Sequence, residues 1–309
     1  MKRIVRKLTT KPVWWRERKR QYPIRLRHDL LPPLAVEKGP VQFAILTTPE
    51  ALNDALWAAW SWYRFLKPHG FELQLAVDGE IKEAEQCAVQ RLFPGISVYN
   101  VNPIIARLCE GRPALKIFFE HHPPGKQVGL TLALSLQGPV LYSDHDVMAF
   151  NSPQELLACV KANTPCYFLD DDNGCHDPSL VEIVHAMGLE TIRRLNAGFL
   201  YIPQNALSID LVEQILTNWS PVPHYYYTPQ TVMSTLMRSA EAKPLPEDRY
   251  VISNQRQFYW EQDVDYKVIA ARHFTGTVRH VLYKYGMPLI LEQSKAYLSE
   301  NRTATSESA

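Results

Sequence analysis

Short continuous apolar runs alternate along the chain with longer stretches of helical periodicity. VQFAILTT (41–48) is an unbroken apolar strand of the kind found inside parallel sheets. PEALNDALWAAWSWYRFL (49–66) predicts a helix, with Pro49 suited to its first turn. FELQLAVDG (71–79) is a second strand that closes on Asp78-Gly79, and the amphipathic stretch 80–93 is a helix stopped by Pro94-Gly95. A short strand at 97–101 and helical stretches at 103–120 and 126–137 follow, set around the break HHPPG (121–125). Residues 139–143 form the fourth clear strand. This alternation predicts a mostly parallel α/β sheet with helices on both faces. Its strand C-termini share one edge, where open sheets of this kind bind ligands.

The pattern then changes. TPCYFLDDDNGCHD (164–177) reads as a strand running into an acidic loop, and LNAGFLYIP (195–203) as a strand with a glycine inside it. YTPQTVMSTLMR (227–238) is helical; RYVIS (249–253) and YKVIAARHF (266–274) read as strands. This half is expected to add antiparallel strands, and an acceptor-side surface, to the same sheet.

Composition adjusts the picture in three places. With 309 residues, 46% of them hydrophobic, the chain can bury the core of one large α/β domain or two small ones. The net charge of +1 does not mark a nucleic-acid binder, but it hides an asymmetry. Residues 1–30 hold eleven Lys or Arg against Glu17 and Asp29, a net +9, which leaves −8 on the rest. With Trp14 and Trp15, this leader fits a weak peripheral foot on anionic membrane or an arm folded back on the acidic body; the second is favoured. The leader has no apolar h-region, and no run of apolar residues is long enough to span a bilayer. Five scattered cysteines with no C-x-x-C pair suit a reducing cytoplasm. The expected organisation is a basic extension over 1–40, a catalytic domain over 41–290, and a helix end with a disordered tail over 291–309.

VLYSDHDVMAF (140–150) carries the chemistry: two aspartates, Asp144 and Asp146, end a buried strand with apolar residues on both sides. Unpaired carboxylates there would be costly, and a hard cation such as Mn²⁺ or Mg²⁺ is a remedy that leaves positions open for a diphosphate. HFTGTVRH (273–280) adds an imidazole at a strand end, His273, a close-approach glycine, Gly276, and a cation, Arg279, able to stabilise a departing diphosphate. Gly198, inside a strand, marks either a β-bulge or close approach of a ligand, and Asn196 offers an amide beside it. Lys126 starts a helix; it reads first as part of a helix-start turn and second as a cation able to face a phosphate. The run Asp170-Asp171-Asp172 reads first as a solvated turn and second as a hydroxyl-binding loop.

In this order, VLYSDHD, NAGFLYIP and HFTGTVR resemble the GT-A glycosyltransferases, and most of all the retaining family of glycogenin and the bacterial lipopolysaccharide galactosyltransferases (glycosyltransferase family 8). The likeness runs over about residues 41–285. It implies a single GT-A domain with a central, mostly parallel mixed sheet, and transfer of a sugar from a nucleotide-diphospho-sugar, a UDP-sugar first among them, to a carbohydrate or other hydroxyl acceptor. It implies Asp144, Asp146 and His273 as metal ligands, with Asp144 also on the donor. It further implies Asn196 and Gly198 on the sugar side, Gln230 near the anomeric carbon, Arg279 on the diphosphate, and Thr47 and Thr48 near base and ribose. The sequence departs from the family pattern at Pro229, where the family has aspartate, at Arg279, where it has lysine, and at Val281, where it has tryptophan. A non-catalytic nucleotide-sugar-binding scaffold is the alternative of another class. A nucleotidyltransferase is disfavoured because LTTPEALND has no glycine- and lysine-rich loop.

Overall fold

The apolar runs become strands that stop where the first polar residue meets the sheet edge. The structure is a computed structural model and describes residues 22–170, 175–219, 226–252, 264–276 and 279–307. Its strands are β1 (Val41–Thr47), β2 (Phe71–Val77), β3 (Ser97–Asn100), β4 (Val140–Asp144), β5 (Val147–Ala149), β6 (Cys166–Leu169), β7 (Leu195–Ile202), β8 (Lys243–Pro244), β9 (Tyr250–Ile252) and β10 (Ala271–His273). Seven of them form one sheet in the order β3-β2-β1-β4-β7-β6-β8. β3, β2, β1 and β4 are mutually parallel, β7 is antiparallel to both its neighbours, and β8 pairs parallel with β6. The expected mostly parallel mixed sheet is therefore present.

The helices are α1 (Leu52–Leu66), α2 (Glu83–Leu92), α3 (Asn102–Leu108), α4 (Pro113–His121), α5 (Lys126–Ser135), α6 (Gln154–Lys161), α7 (Pro178–Ala186), α8 (Ile209–Thr217), α9 (Thr228–Ser239) and α10 (Met287–Glu307). Alternate residues of the strands feed two cores. Phe43, Ile45, Leu141 and Phe199 pack with α1 and α10, while Ala44, Tyr142 and Leu200 pack with α3, α4, α5, α8 and α9. That period of two is what a sheet covered on both faces requires. Helix α1 buries Trp57, Trp60 and Trp62 completely. Each indole N–H donates to a backbone carbonyl, of Arg25, Pro32 and Val147 respectively, at 2.9–3.1 Å, which removes the penalty for burying it.

Several expectations need correction. β9 and β10 do not join the main sheet; with β5 they form a second, three-stranded one. The predicted strand over 266–274 contracts to Ala271–His273, because Asp265 caps a turn through the N–H groups of Lys267 and Val268. The stretch 103–120 is two helices, broken where Gly111 takes φ +71° and Pro113 opens the next helix. The tail expected to be disordered is helical as far as Glu307; no glycine or proline follows Pro288 to stop α10. Residues 22–40 pack onto the body: Leu31 and Leu34 are buried, and the Leu34 and Val36 N–H groups donate to Leu92 O and Pro94 O. Residues 1–21, with Trp14 and Trp15, lie outside the described residues, as do Asp171 and Asp172.

Candidate active site

Strand β4 ends on Asp144, and the next turn carries Asp146 into β5. The small sheet then decides what meets them. β10 pairs antiparallel with β5 so that His273 stands opposite Val147, one residue from Asp146. The Phe274 N–H donates to Asp146 O at 2.9 Å, and Trp62 holds Val147 O from the other side. Both bonds fix the C-terminal end of the turn, at Asp146 and Val147.

Asp144, Asp146 and His273 offer ligand atoms that all lie within 4.8 Å of one another. His273 Nε2 is 3.2 Å from Asp146 Oδ1 and 3.9 Å from Asp144 Oδ2. Its Nδ1 lies 2.9 Å from Asn196 Oδ1, which also accepts from Gly198 N at 3.0 Å. Accepting from a backbone N–H identifies that atom as the amide oxygen, so Nδ1 carries a proton and Nε2 is the nitrogen left for the aspartates or a metal. Two hard carboxylates and one oriented imidazole are a donor set that fits Mn²⁺ or Mg²⁺.

Gly198 belongs to a bulge. β6 pairs Tyr167 with Leu200 and then Phe168 with Asn196, so Ala197, Gly198 and Phe199 have no partner on β6, while Phe199 still pairs with Ser143 of β4. The Gln127 side chain donates to the Ala197 carbonyl left there. A Cβ at Gly198 would stand 2.5 Å from His273 Cε1, 2.8 Å from Asp144 Oδ2 and 2.9 Å from Asn196 Oδ1. The bulge and the close approach are thus the same feature.

Electrostatics separate the two aspartates. Burial, with the Asp146 charge next, pushes Asp144 up to about 6. The Tyr142 hydroxyl donates to Asp144 Oδ1 at 2.6 Å. Burial also works against the Asp146 charge, but Arg279, which donates to Asp146 Oδ2, and His273 outweigh it and hold that carboxyl well below the usual range.

One cleft of about 730 Å³ contains Thr47, Thr48, Lys126, Asp144, Asp146, Asn196, Gly198, Gln230, His273, Gly276 and Arg279, the residues assigned a site role from sequence apart from the acidic loop. Thr47 is buried at the end of β1 and Thr48 is exposed. Lys126 opens α5, and its Nζ is 2.5 Å from Asp78 Oδ1. Gln230, on α9, donates through Nε2 to Asp170 Oδ2 and Cys175 O, both at 2.9 Å. Both partners are acceptors, which fixes the amide orientation.

Asp170 is the residue underweighted from sequence. It is 7% exposed and lines the cleft, where a solvated turn was the first expectation. It sits one residue beyond a buried strand, β6, as Asp144 ends β4, and that parallel was the available signal. Tyr142 and Asp78 were also passed over; nothing but their adjacency to strand ends marks them.

No protein-family model matches this sequence, and no curated protein sequence does. Solved structures do match. The galactosyltransferase LgtC, in complex with donor and acceptor sugar analogues, is 16% identical over 82% of this chain and 95% of that one, with a TM-score of 0.52. Mouse xyloside xylosyltransferase 1 is 10% identical over 79% and 99%, with a TM-score of 0.51. The bifunctional glycosyltransferase WbbM is 13% identical over 85% of this chain and 53% of that one, with a TM-score of 0.52. Identity this low speaks to architecture, and the architecture is that of the GT-A glycosyltransferases.

Proposed function

We propose that the protein is a metal-dependent glycosyltransferase. It moves a sugar from a nucleotide-diphospho-sugar, a UDP-sugar by preference, to a carbohydrate or other hydroxyl acceptor, with retention of anomeric configuration. The observation that carries this reading is the convergence of Asp144, Asp146 and His273 in one cleft at the carboxyl edge of a GT-A sheet. A neighbour in fold holding donor and acceptor sugar analogues supports the same class of partner.

Asp144, Asp146 and His273 would hold Mn²⁺ or Mg²⁺, which when bound supplies charge neutralisation for a departing diphosphate. Asn196 keeps His273 in the ligating tautomer, so its role is orientation more than contact with the sugar. Arg279 brings a second positive charge to the diphosphate side. Lys126, at a helix N-terminus, adds a third by exchanging Asp78 for a phosphate. Gln230 is held by Asp170 and Cys175 through its Nε2, and its Oε1 would receive a sugar hydroxyl. The reading takes a same-face attack guided by the leaving diphosphate and the Gln230 amide, without a covalent intermediate. We place the protein in the cytoplasm, with at most weak contact to anionic lipid through residues 1–30.

A thermal-shift screen of UDP-, GDP- and CMP-sugars with and without Mn²⁺ tests the binding step, since a ligand of the folded state raises its melting temperature. UDP-sugars should stabilise only in the presence of Mn²⁺. Release of UDP without acceptor should then be measurable. Binding with no UDP release would favour the scaffold alternative, and no binding by any donor would remove the reading.

A further inference from the structure

A second charged cluster lies outside the cleft. Asp54, in the first turn of α1, is 0% exposed, a position where a carboxylate must be fully paired. Arg25 Nε donates to its Oδ1 at 2.7 Å, and the Tyr283 hydroxyl donates to its Oδ2 at 2.9 Å. Arg25 is itself fixed: Nη2 donates to Glu50 O at 2.8 Å, and its own carbonyl accepts from Trp57 Nε1 at 3.1 Å. The ring of Tyr22 lies 6.0 Å from that of Tyr283, so the segment before β1 contacts Tyr283 directly as well as through Asp54.

Tyr283 stands four residues after Arg279 on one helical segment, which is π-wound over Leu282–Gly286 and continues as α10. That segment is therefore pinned at two points. Tyr283 ties it to Asp54, and Arg279 ties it to Asp146. Burial works against the charge of Arg279, and the carboxylates of Asp146 first and Asp54 after it outweigh that effect. Polar contacts thus run from Arg25 through Asp54 to Tyr283, and the helical backbone between Tyr283 and Arg279 joins them to the contact of Arg279 with Asp146. π-wound turns of this kind are frequent at functional sites.

We propose that Asp54 is a positioning residue for Arg279: clamped by Arg25, it anchors Tyr283 and so fixes the turn that aims the Arg279 guanidinium at the diphosphate. The inference rests on the nucleotide-sugar reading above. It makes the segment Pro23–Leu26 part of the support of the site, although no residue of that segment lines the cleft.

The test is a calorimetric double-mutant cycle on the full chain, titrating Mn²⁺ alone and then UDP in the presence of Mn²⁺. Tyr283→Phe deletes one hydroxyl and keeps the packed ring, so it preserves the fold; Asp54→Asn is the harsher variant. Tyr283→Phe should leave Mn²⁺ affinity unchanged and weaken UDP binding about tenfold, the size of one lost hydrogen bond to a charged group. Combined with Arg279→Ala it should weaken UDP binding no further than Arg279→Ala alone. Losses that simply add to that of Arg279→Ala, or a lower melting temperature with unchanged UDP affinity, would show Asp54 and Tyr283 to be structural and overturn the inference alone. Failure of the unmodified protein to bind UDP with Mn²⁺ would overturn the functional reading, and this inference with it.

Discussion

Asp144 and Asp146 are two residues apart and have opposite acidities, and the difference makes the cluster's pH response predictable. Asp144, raised from the usual 3.8 to about 6, burdens the folded state with its charge, and that cost disappears as pH falls through 6. Burial lowers His273, but the Asp146 carboxylate outweighs it, and the imidazole moves up from 6.5. Its stabilising charge is fully present below 6.5 and is lost as pH rises through the folded value. Asp146, depressed, contributes stability above the unfolded 3.8 that is lost only in stronger acid. Without metal the cluster is therefore most favourable at about pH 4 and loses stability as pH rises through about 6 and beyond. A metal reverses the sign, because it needs both carboxylates ionised and His273 neutral. Between about pH 5.5 and 7.5 the melting temperature in EDTA should fall on account of this cluster, while the increment added by Mn²⁺ should grow. An increment that is constant across that range would rule out ligation by these groups. Asp146→Asn should lower Mn²⁺ affinity by more than about tenfold with little change in circular dichroism. Unchanged affinity in that variant would remove Asp146 from the ligand set.

The decisive element is the bulge in β7, which presses backbone against His273, Asp144 and Asn196. Gly198→Ala introduces one methyl where none fits, and the atoms it meets belong to His273, Asp144 and Asn196. The expected cost in stability is about 1–3 kcal/mol, typical of overpacking. The loss of Mn²⁺ affinity should be disproportionate, since relief of the clash displaces His273. Parallel urea melts and Mn²⁺ titrations check this, and a purely stability-based defect would mean the bulge serves packing only. The glycine could be picked out from the sequence because it interrupts an apolar strand. What it approaches could not, because the partner atoms come from β4 and from β10, about seventy-five residues further on.

Across the whole molecule, the segment before β1 is bound into the fold more tightly than its basic composition indicates. A chain beginning at Val41 would lose the buried Leu31 and Leu34, the carbonyl partners of Trp57 and Trp60, and the cation that pairs with Asp54. Orphaning a buried carboxylate costs about 3–5 kcal/mol, and each indole N–H left without a partner about 1–3 kcal/mol more. The truncated chain should therefore unfold at markedly lower urea concentration than the full chain, and Asp54→Asn in the truncated background should recover part of the loss. Equal midpoints for full and truncated chains would mean these contacts contribute nothing. Arg25 and Arg27 are engaged with Asp54 and Asp29, which reduces the charge that residues 22–30 can present to a surface. Sedimentation with anionic liposomes should accordingly be weak and reversed by physiological salt, where the screening length is about 8 Å.

Local pattern alone determined the parallel half of the sheet, the edge at which its strands end, and the residue types gathered there. Continuous apolar runs and strand-terminal aspartates are written in consecutive residues, and their meaning depends on neighbours one or two positions away. Only the tertiary structure decided that β9 and β10 leave the main sheet to pair beside β5, which puts His273 next to Asp146. It alone also decided that Asp170 faces a cleft and grips Gln230, and that Arg25 reaches a buried carboxylate on α1. Pairings of that kind set a hydrogen bond or an ion pair between segments 29 to 133 residues apart. Their energy depends on burial and orientation, which a chain acquires only when its layers close.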